Sequence, residues 1–170
     1  MSAAEITAAA SRLCTACGLC CNGVLFHIVR LQPSDSVKQL EGLGMTLNRK
    51  KHEPYFRQPC TFLKDCTCTQ YDARPARCRL FECQLLGRLA AGEGAESDSR
   101  LAIDAAKQHV AEVERLLLSL GNVDVHRPLM ERYLQVLETP SPALEPLIAA
   151  VRALNAVLNE HFRLKPHVPL

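Results

Sequence analysis

Nine cysteines in 170 residues all fall between Cys14 and Cys83, and the last 87 residues have none. Thiols at this density either pair as disulfides or ligate metal, and the choice decides what holds the surrounding chain together. Three features argue against a secreted disulfide framework: the odd count, the adjacent pair Cys20 and Cys21, and a start, MSAAEITAAASRLC, without a basic head and a long apolar run. The expectation is a cytoplasmic chain whose cysteines bind metal. No stretch approaches the roughly 18 uninterrupted apolar residues of a membrane span. With 48% hydrophobic and 22% charged residues the chain has the make-up of a soluble globular protein.

Composition shifts near residue 91, where AAGEGAESDS separates an apolar stretch from a helical pattern. Residues 1–90 carry 12 Lys and Arg against 7 Asp and Glu; residues 91–170 carry 8 against 11. The expected organisation is a cysteine-cluster metal-binding domain, 1–90, followed by a helical C-terminal region, 91–170, packed on it as a lid or a partner surface. The expected fold class is α+β, with short strands and helices in the first half.

In the second half, Ile103, Ala106, Val110, Val113, Leu117 and Leu120 recur in steps of three and four, predicting a helix over 101–120 stopped by Gly121. Pro128 opens a second helix, with Leu129, Tyr133 and Val136 on one side. Ser141 and Pro142 cap a third, which runs to Phe162 with Leu147, Val151, Leu154 and Leu158 inward. In the first half, VLFHIVRL over 24–31 alternates like a strand. The run SDSVKQLEGLG reads as a short capped helix ended by Gly44, and Pro75 to Ala91 reads as one helix.

The first cysteine cluster, Cys14, Cys17, Cys20 and Cys21, has the spacing C-x2-C-x2-C-C, with Gly18 inside it. A C-x2-C turn converges two thiolates on one metal where the chain reverses, and Gly18 supplies the permissive backbone. Cys14, Cys17 and Cys20 also match the run that wraps a [4Fe-4S] cluster. Neighbouring thiolates do not readily share one tetrahedral centre, so Cys21 serves a second metal or bridges two. The second cluster is Cys60, Cys66, Cys68, Cys78 and Cys83. On one helix, Cys78 and Cys83 would stand roughly 140° apart and would not face one centre. One of Cys66 and Cys68 is surplus.

These residues resemble the CxxCxxCC family of bacterial and archaeal cysteine-cluster proteins, described as chelating zinc or iron. The landmarks are Cys14, Cys17, Cys20 and Cys21; Pro59, Cys60, Phe62 and Leu63; Cys68 near Tyr71; and Arg74, Pro75, Cys78, Arg79, Phe81 and Cys83. The resemblance covers residues 14 to 83. It implies eight metal-associated cysteines, Cys14, Cys17, Cys20, Cys21, Cys60, Cys68, Cys78 and Cys83, and leaves Cys66 outside the pattern. Eight thiolates suit two four-coordinate zinc centres, one iron-sulfur cluster plus one zinc, or a shared binuclear site.

Arg74, Arg77 and Arg79 bracket Cys78 and are expected to donate charge or hydrogen bonds to thiolates. His27 and His52 are the alternative ligands of a Cys3His site, less favoured because cysteines are in surplus. His109, His126, His161 and His167 show no ligand spacing. The run Arg49, Lys50, Lys51 and His52 lacks interleaved aromatics, so nucleic acid is not an expected partner. The expected partners are a metal ion and a protein bound through the C-terminal helices; a membrane is not among them.

The favoured function is metal binding through zinc or an iron-sulfur centre. The alternatives are an iron-sulfur oxidoreductase or accessory component of a modification enzyme, since the resemblance extends to flagellin lysine methylases that carry this domain, and metal trafficking. No Ser-His-Asp set, phosphate-cradling loop, Rossmann fingerprint or C-x3-C-x2-C of radical enzymes is present, so enzymatic activity is left open.

Overall fold

Alanine has the highest helix propensity of any residue, and the alanine-rich start of the chain forms α1, Ala3–Cys17. A reciprocal cap starts it: Ser2 Oγ accepts from the Glu5 amide at 3.3 Å and Glu5 Oε2 accepts from the Ser2 amide at 2.6 Å. The sequence analysis did not anticipate this helix. The computed structural model describes residues 2–49 and 53–164. It is α+β, with β1 Ile28–Arg30, α2 Val37–Gly42, β2 Tyr55–Arg57, β3 Leu63–Lys64, β4 Thr67–Cys68, α3 Ala76–Leu80, α4 Gln84–Ala90, α5 Glu96–Ser119, α6 Leu129–Leu137 and α7 Glu145–His161. Lys50, Lys51, His52 and His167 lie outside the described residues.

Contacts divide the chain into two units. The first comprises Met1–Cys17, Glu82–Asp124 and Leu129–Leu170. Helices α1 and α4, which composition placed in the cysteine half, therefore group with the C-terminal helices. Within this unit α5 packs on α1, α4, α6 and α7. The predicted stripes are its core: Ile103, Ala106, Val110, Val113 and Leu117 of α5, and Leu147, Val151, Leu154 and Leu158 of α7, are all buried. Helix α5 starts at Glu96, earlier than the apolar pattern begins, because Asp98 accepts from the Ala95 amide at 3.2 Å. Arg12 grips Glu96 through both ends of its guanidinium, at 2.9 and 2.7 Å. Ser141 Oγ accepts from the Ala143 amide at 3.2 Å and opens the 3-10 turn Pro142–Leu144 that leads into α7.

The second unit comprises Gly18–Phe81 and Val125–Pro128. It is built on two small antiparallel sheets of two strands each, of which only β3–β4 is a hairpin. Strand β1 pairs with β2 in the register Ile28↔Arg57, Val29↔Phe56 and Arg30↔Tyr55, and β3 pairs with β4 as Leu63↔Cys68 and Lys64↔Thr67. The strand predicted over 24–31 is shorter than expected. Gly23 takes φ +88° and Asn22 Oδ1 accepts from the Val24 amide, so the chain is still turning when the apolar alternation begins. Helix α2 ends as predicted at Gly44: the Gly44 amide donates to Glu41 and the Met45 amide to Leu40, a Schellman pair with Gly44 at φ +97°. The unit's core is Leu31, Leu40, Met45, Phe56 and Phe62. No helix among the described residues is long and apolar enough to cross a membrane.

The single helix expected from Pro75 to Ala91 is broken. Phe81 and Cys83 are extended, with ψ 122° and 166°, and divide it into α3 and α4. Phe81 meets Phe26 edge-on at 4.8 Å, which takes the backbone out of helical geometry to seat an aromatic pair. The angular argument that set Cys78 against Cys83 on one helix therefore does not apply.

Candidate metal centre

Burial of a thiol without a countercharge penalises the thiolate, so the environment of each cysteine shows what it needs. Cys60, Cys68 and Cys78 all pack against the core of Leu31, Leu40, Met45, Phe56 and Phe62. The Cys78 thiol is pushed up to about 12, chiefly by burial and then by the charges of Cys60 and Cys68. Cys60 is also raised, first by burial and further by Cys68, while the Phe62 and Leu63 amides that face its sulfur pull it down. Three thiols at the edge of one apolar core, two of them raised chiefly by burial and further by a neighbouring thiol, are a set of neighbouring donors. Their chemistry fits a soft or borderline divalent cation, which would relieve both burial and mutual repulsion. Among the described residues, however, no three His, Cys, Asp or Glu side chains stand at the separations of a closed metal site.

Local structure positions each donor. Cys60 begins a turn in which its carbonyl accepts from the Leu63 amide at 3.0 Å, which exposes its sulfur to the amides that follow. Cys68 ends β4, opposite Leu63. Cys78 sits in the short helix α3, whose first amide, that of Ala76, donates to Asp35 Oδ1 at 2.7 Å. Asp35 Oδ2 accepts from the Gln32 amide, also at 2.7 Å, so one carboxylate ties the loop before α2 to the helix that carries Cys78. The sequence analysis did not single out Asp35. Its only signal was a capping-type Ser-Asp-Ser after Pro33, which marks a turn but not a partner 41 residues away.

Of the three arginines expected to serve the thiolates, Arg74 is the one whose charge lowers the pKa of Cys78, against the larger effect of burial. Its guanidinium lies 3.4 Å from the centre of the Tyr71 ring, and its Nε donates to the Tyr71 carbonyl at 2.7 Å. The same side chain therefore braces the Arg-Pro turn through Tyr71 and places a positive charge that favours the Cys78 thiolate. Arg77 and Arg79 are exposed, as is His27.

The first cysteine cluster is split by its own secondary structure. Cys14 and Cys17 occupy the last turn of α1, and the expected reversal between them falls instead after Cys17, at Gly18 with φ +69°. The Gly18 carbonyl accepts from the Cys21 and Asn22 amides at 2.9 and 3.0 Å, turning the chain through Cys20 and Cys21. The Cys60 amide donates to the Cys21 carbonyl at 2.7 Å, which joins the two cysteine clusters through backbone within the second unit. In the first unit, Cys83 is the residue before α4, which packs on α1. Burial raises its thiol, and the Leu86, Leu85 and Cys83 amides oppose that rise. None of the nine cysteines is in a disulfide.

The model of a family described as a "putative zinc- or iron-chelating domain" matches residues 13–109, more than half of the chain. No curated protein and no solved structure matches it.

Proposed function

The chain belongs to the CxxCxxCC family, and from that premise we propose that it is a metal-binding protein whose cysteine half folds around bound zinc. The observation that carries this reading is the trio Cys60, Cys68 and Cys78, packed on one core, where burial raises the Cys60 and Cys78 thiols. The ligand set comprises Cys14, Cys17, Cys20, Cys21, Cys60, Cys68, Cys78 and Cys83. For Cys21, the support beyond the motif is its backbone bond to Cys60. For Cys14, Cys17, Cys20 and Cys83, the support is the family motif. Bound zinc would supply positive charge to the thiolates and tie segments distant in sequence. In a unit whose strands are two or three residues long, that contribution to folding is on the order of 10 kcal/mol.

The chain's own residues do the remaining work. Asp35 holds the Cys78 helix in place, Arg74 offsets thiolate charge, and the Phe62 and Leu63 amides face the Cys60 sulfur. Anaerobic purification followed by analysis for zinc, iron and acid-labile sulfide tests the reading. About two zinc ions per colourless chain is the expected result. Iron with sulfide and a broad visible absorption band would replace it with the iron-sulfur oxidoreductase reading. Metal lost on simple dialysis would favour trafficking. A Cys60→Ser protein that kept full metal content and thermal stability would refute ligation by the trio.

A further inference from the structure

The family match ends at residue 109, yet the cysteine unit recruits residues beyond it. Val125–Pro128, part of the connection from α5 to α6, group with Gly18–Phe81. Pro128 directly precedes α6, but starting a helix calls for its fixed φ and not for burial. Its side chain is nevertheless less than 2% exposed, while Val125, His126 and Arg127 before it are exposed.

Pro128 packs on the turn that follows Cys20 and Cys21. A Cβ placed on Gly23 would stand 3.0 Å from the Pro128 Cα, 3.4 Å from its Cβ and 3.5 Å from the Gln58 Cβ. Carbon atoms pack best at about 3.5–4.0 Å, so only glycine lets Pro128 come this close, and Gly23 also takes φ +88°. The Cys60 amide donates to the Cys21 carbonyl at 2.7 Å, and two residues away on each segment Gln58 meets Gly23. Segments 21–23 and 58–60 therefore run side by side in opposite directions, with Pro128 set against the Gly23 end. Gln58 is 2% exposed and its Oε1 has no hydrogen-bond partner among the described residues, so its side chain is held at this junction by packing.

Cys20 and Cys21 sit between Gly18 at φ +69° and Gly23. Glycine loses more freedom on folding than any other residue, so a turn bracketed by two of them is costly to order. Proline, with φ already fixed, gives up little and is suited to restrain that turn from outside.

We propose that Pro128 is a positioning residue of the metal site: by packing on Gly23 it holds Cys20 and Cys21 in the arrangement that binds metal. This rests on the metal-binding reading and extends it to a residue outside the family match. A turn restrained in advance has less freedom to lose on taking up the ion, so the ion is held longer.

The test measures zinc transfer from the full reduced chain to a chromophoric chelator, with hydrogen exchange read on the same zinc-loaded samples. Pro128→Gly keeps a residue accepted before a helix but removes the ring and the Cβ that meet Gly23. It should release zinc at least tenfold faster and exchange the Cys21 and Asn22 amides at least tenfold faster, with α7 unchanged. Pro128→Ala keeps the Cα and Cβ, loses the ring, and should release zinc at least threefold faster. Pro142→Gly makes the same backbone change at an exposed proline and should match wild type. Release within twofold of wild type for Pro128→Gly, or for Pro128→Ala if the glycine variant does not fold, would overturn the proposal and leave the metal-binding reading intact. Equal acceleration in Pro142→Gly would overturn it too, since that marks a general loss of stability. A wild-type chain that takes up no zinc would overturn both.

Discussion

Asp35 makes the most exposing test of how this fold holds its thiols. Its carboxylate accepts two backbone amides, Gln32 and Ala76, both at 2.7 Å. Partly buried, charge-assisted bonds of this kind contribute about 1.5 kcal/mol each at the lower end of their range. Asp35→Ala should therefore loosen α3 by about 3 kcal/mol, and Asp35→Asn, which keeps one carbonyl acceptor, by about half as much. A competing effect has the opposite sign: Asp35 raises the Cys78 pKa, so its removal favours the thiolate. That influence is the weakest of those acting on Cys78, ranking below burial, Cys60, Cys68 and Arg74, and the lost hydrogen bonds should dominate. Hydrogen exchange on the metal-loaded protein gives a local readout, because about 3 kcal/mol is roughly a hundredfold in amide protection. The Ala76, Cys78 and Phe81 amides should exchange about a hundredfold faster in Asp35→Ala and about tenfold faster in Asp35→Asn, with α5 unchanged. Protection within twofold of wild type in both variants would show that the carboxylate does not secure the helix.

Arg74→Gln should lose the stacking on Tyr71 and its charge near Cys78, lowering stability by about 1 kcal/mol and speeding metal loss to a chelator; unchanged retention would remove Arg74 from the thiolates' support. Gly18→Ala and Gly44→Ala both force a side chain into positive φ, but only the first also meets backbone, at 3.3 Å, while Gly44 faces open space. Thermal melts should therefore show a strain of about 1–3 kcal/mol for each, with the larger loss at Gly18. Leu154→Ala, at a position 1% exposed in the α5 and α7 core, should cost about 2–5 kcal/mol in urea denaturation. A loss below 1 kcal/mol would mean that this core is not packed as described.

The helical unit was legible wherever periodicity and caps acted locally. The steps of three and four in α5 and α7, the Ser141 cap and the glycine stops at 44 and 121 all rest on neighbours within a few turns. Helix α1 was equally local but was passed over because its cysteines suggested a knuckle, when its alanine content favoured a helix through Cys17. The break at Phe81 was not legible. The ring that draws the backbone out of helical geometry is Phe26, far away in sequence.

The amino-acid sequence alone determined the inventory of donors, the spacing that marks the family and the apolar stripes that become core. These follow from residue chemistry and from backbone periods that short segments carry by themselves. Only the tertiary structure decided which thiols are neighbours. Cys60, Cys68 and Cys78 meet on one core, Asp35 reaches across 41 residues to the Cys78 helix, and Cys66 is set against Gly18. Each of these juxtapositions depends on loops closing over long separations, and the gain that closes them comes from burial and hydrogen bonds that no local pattern encodes.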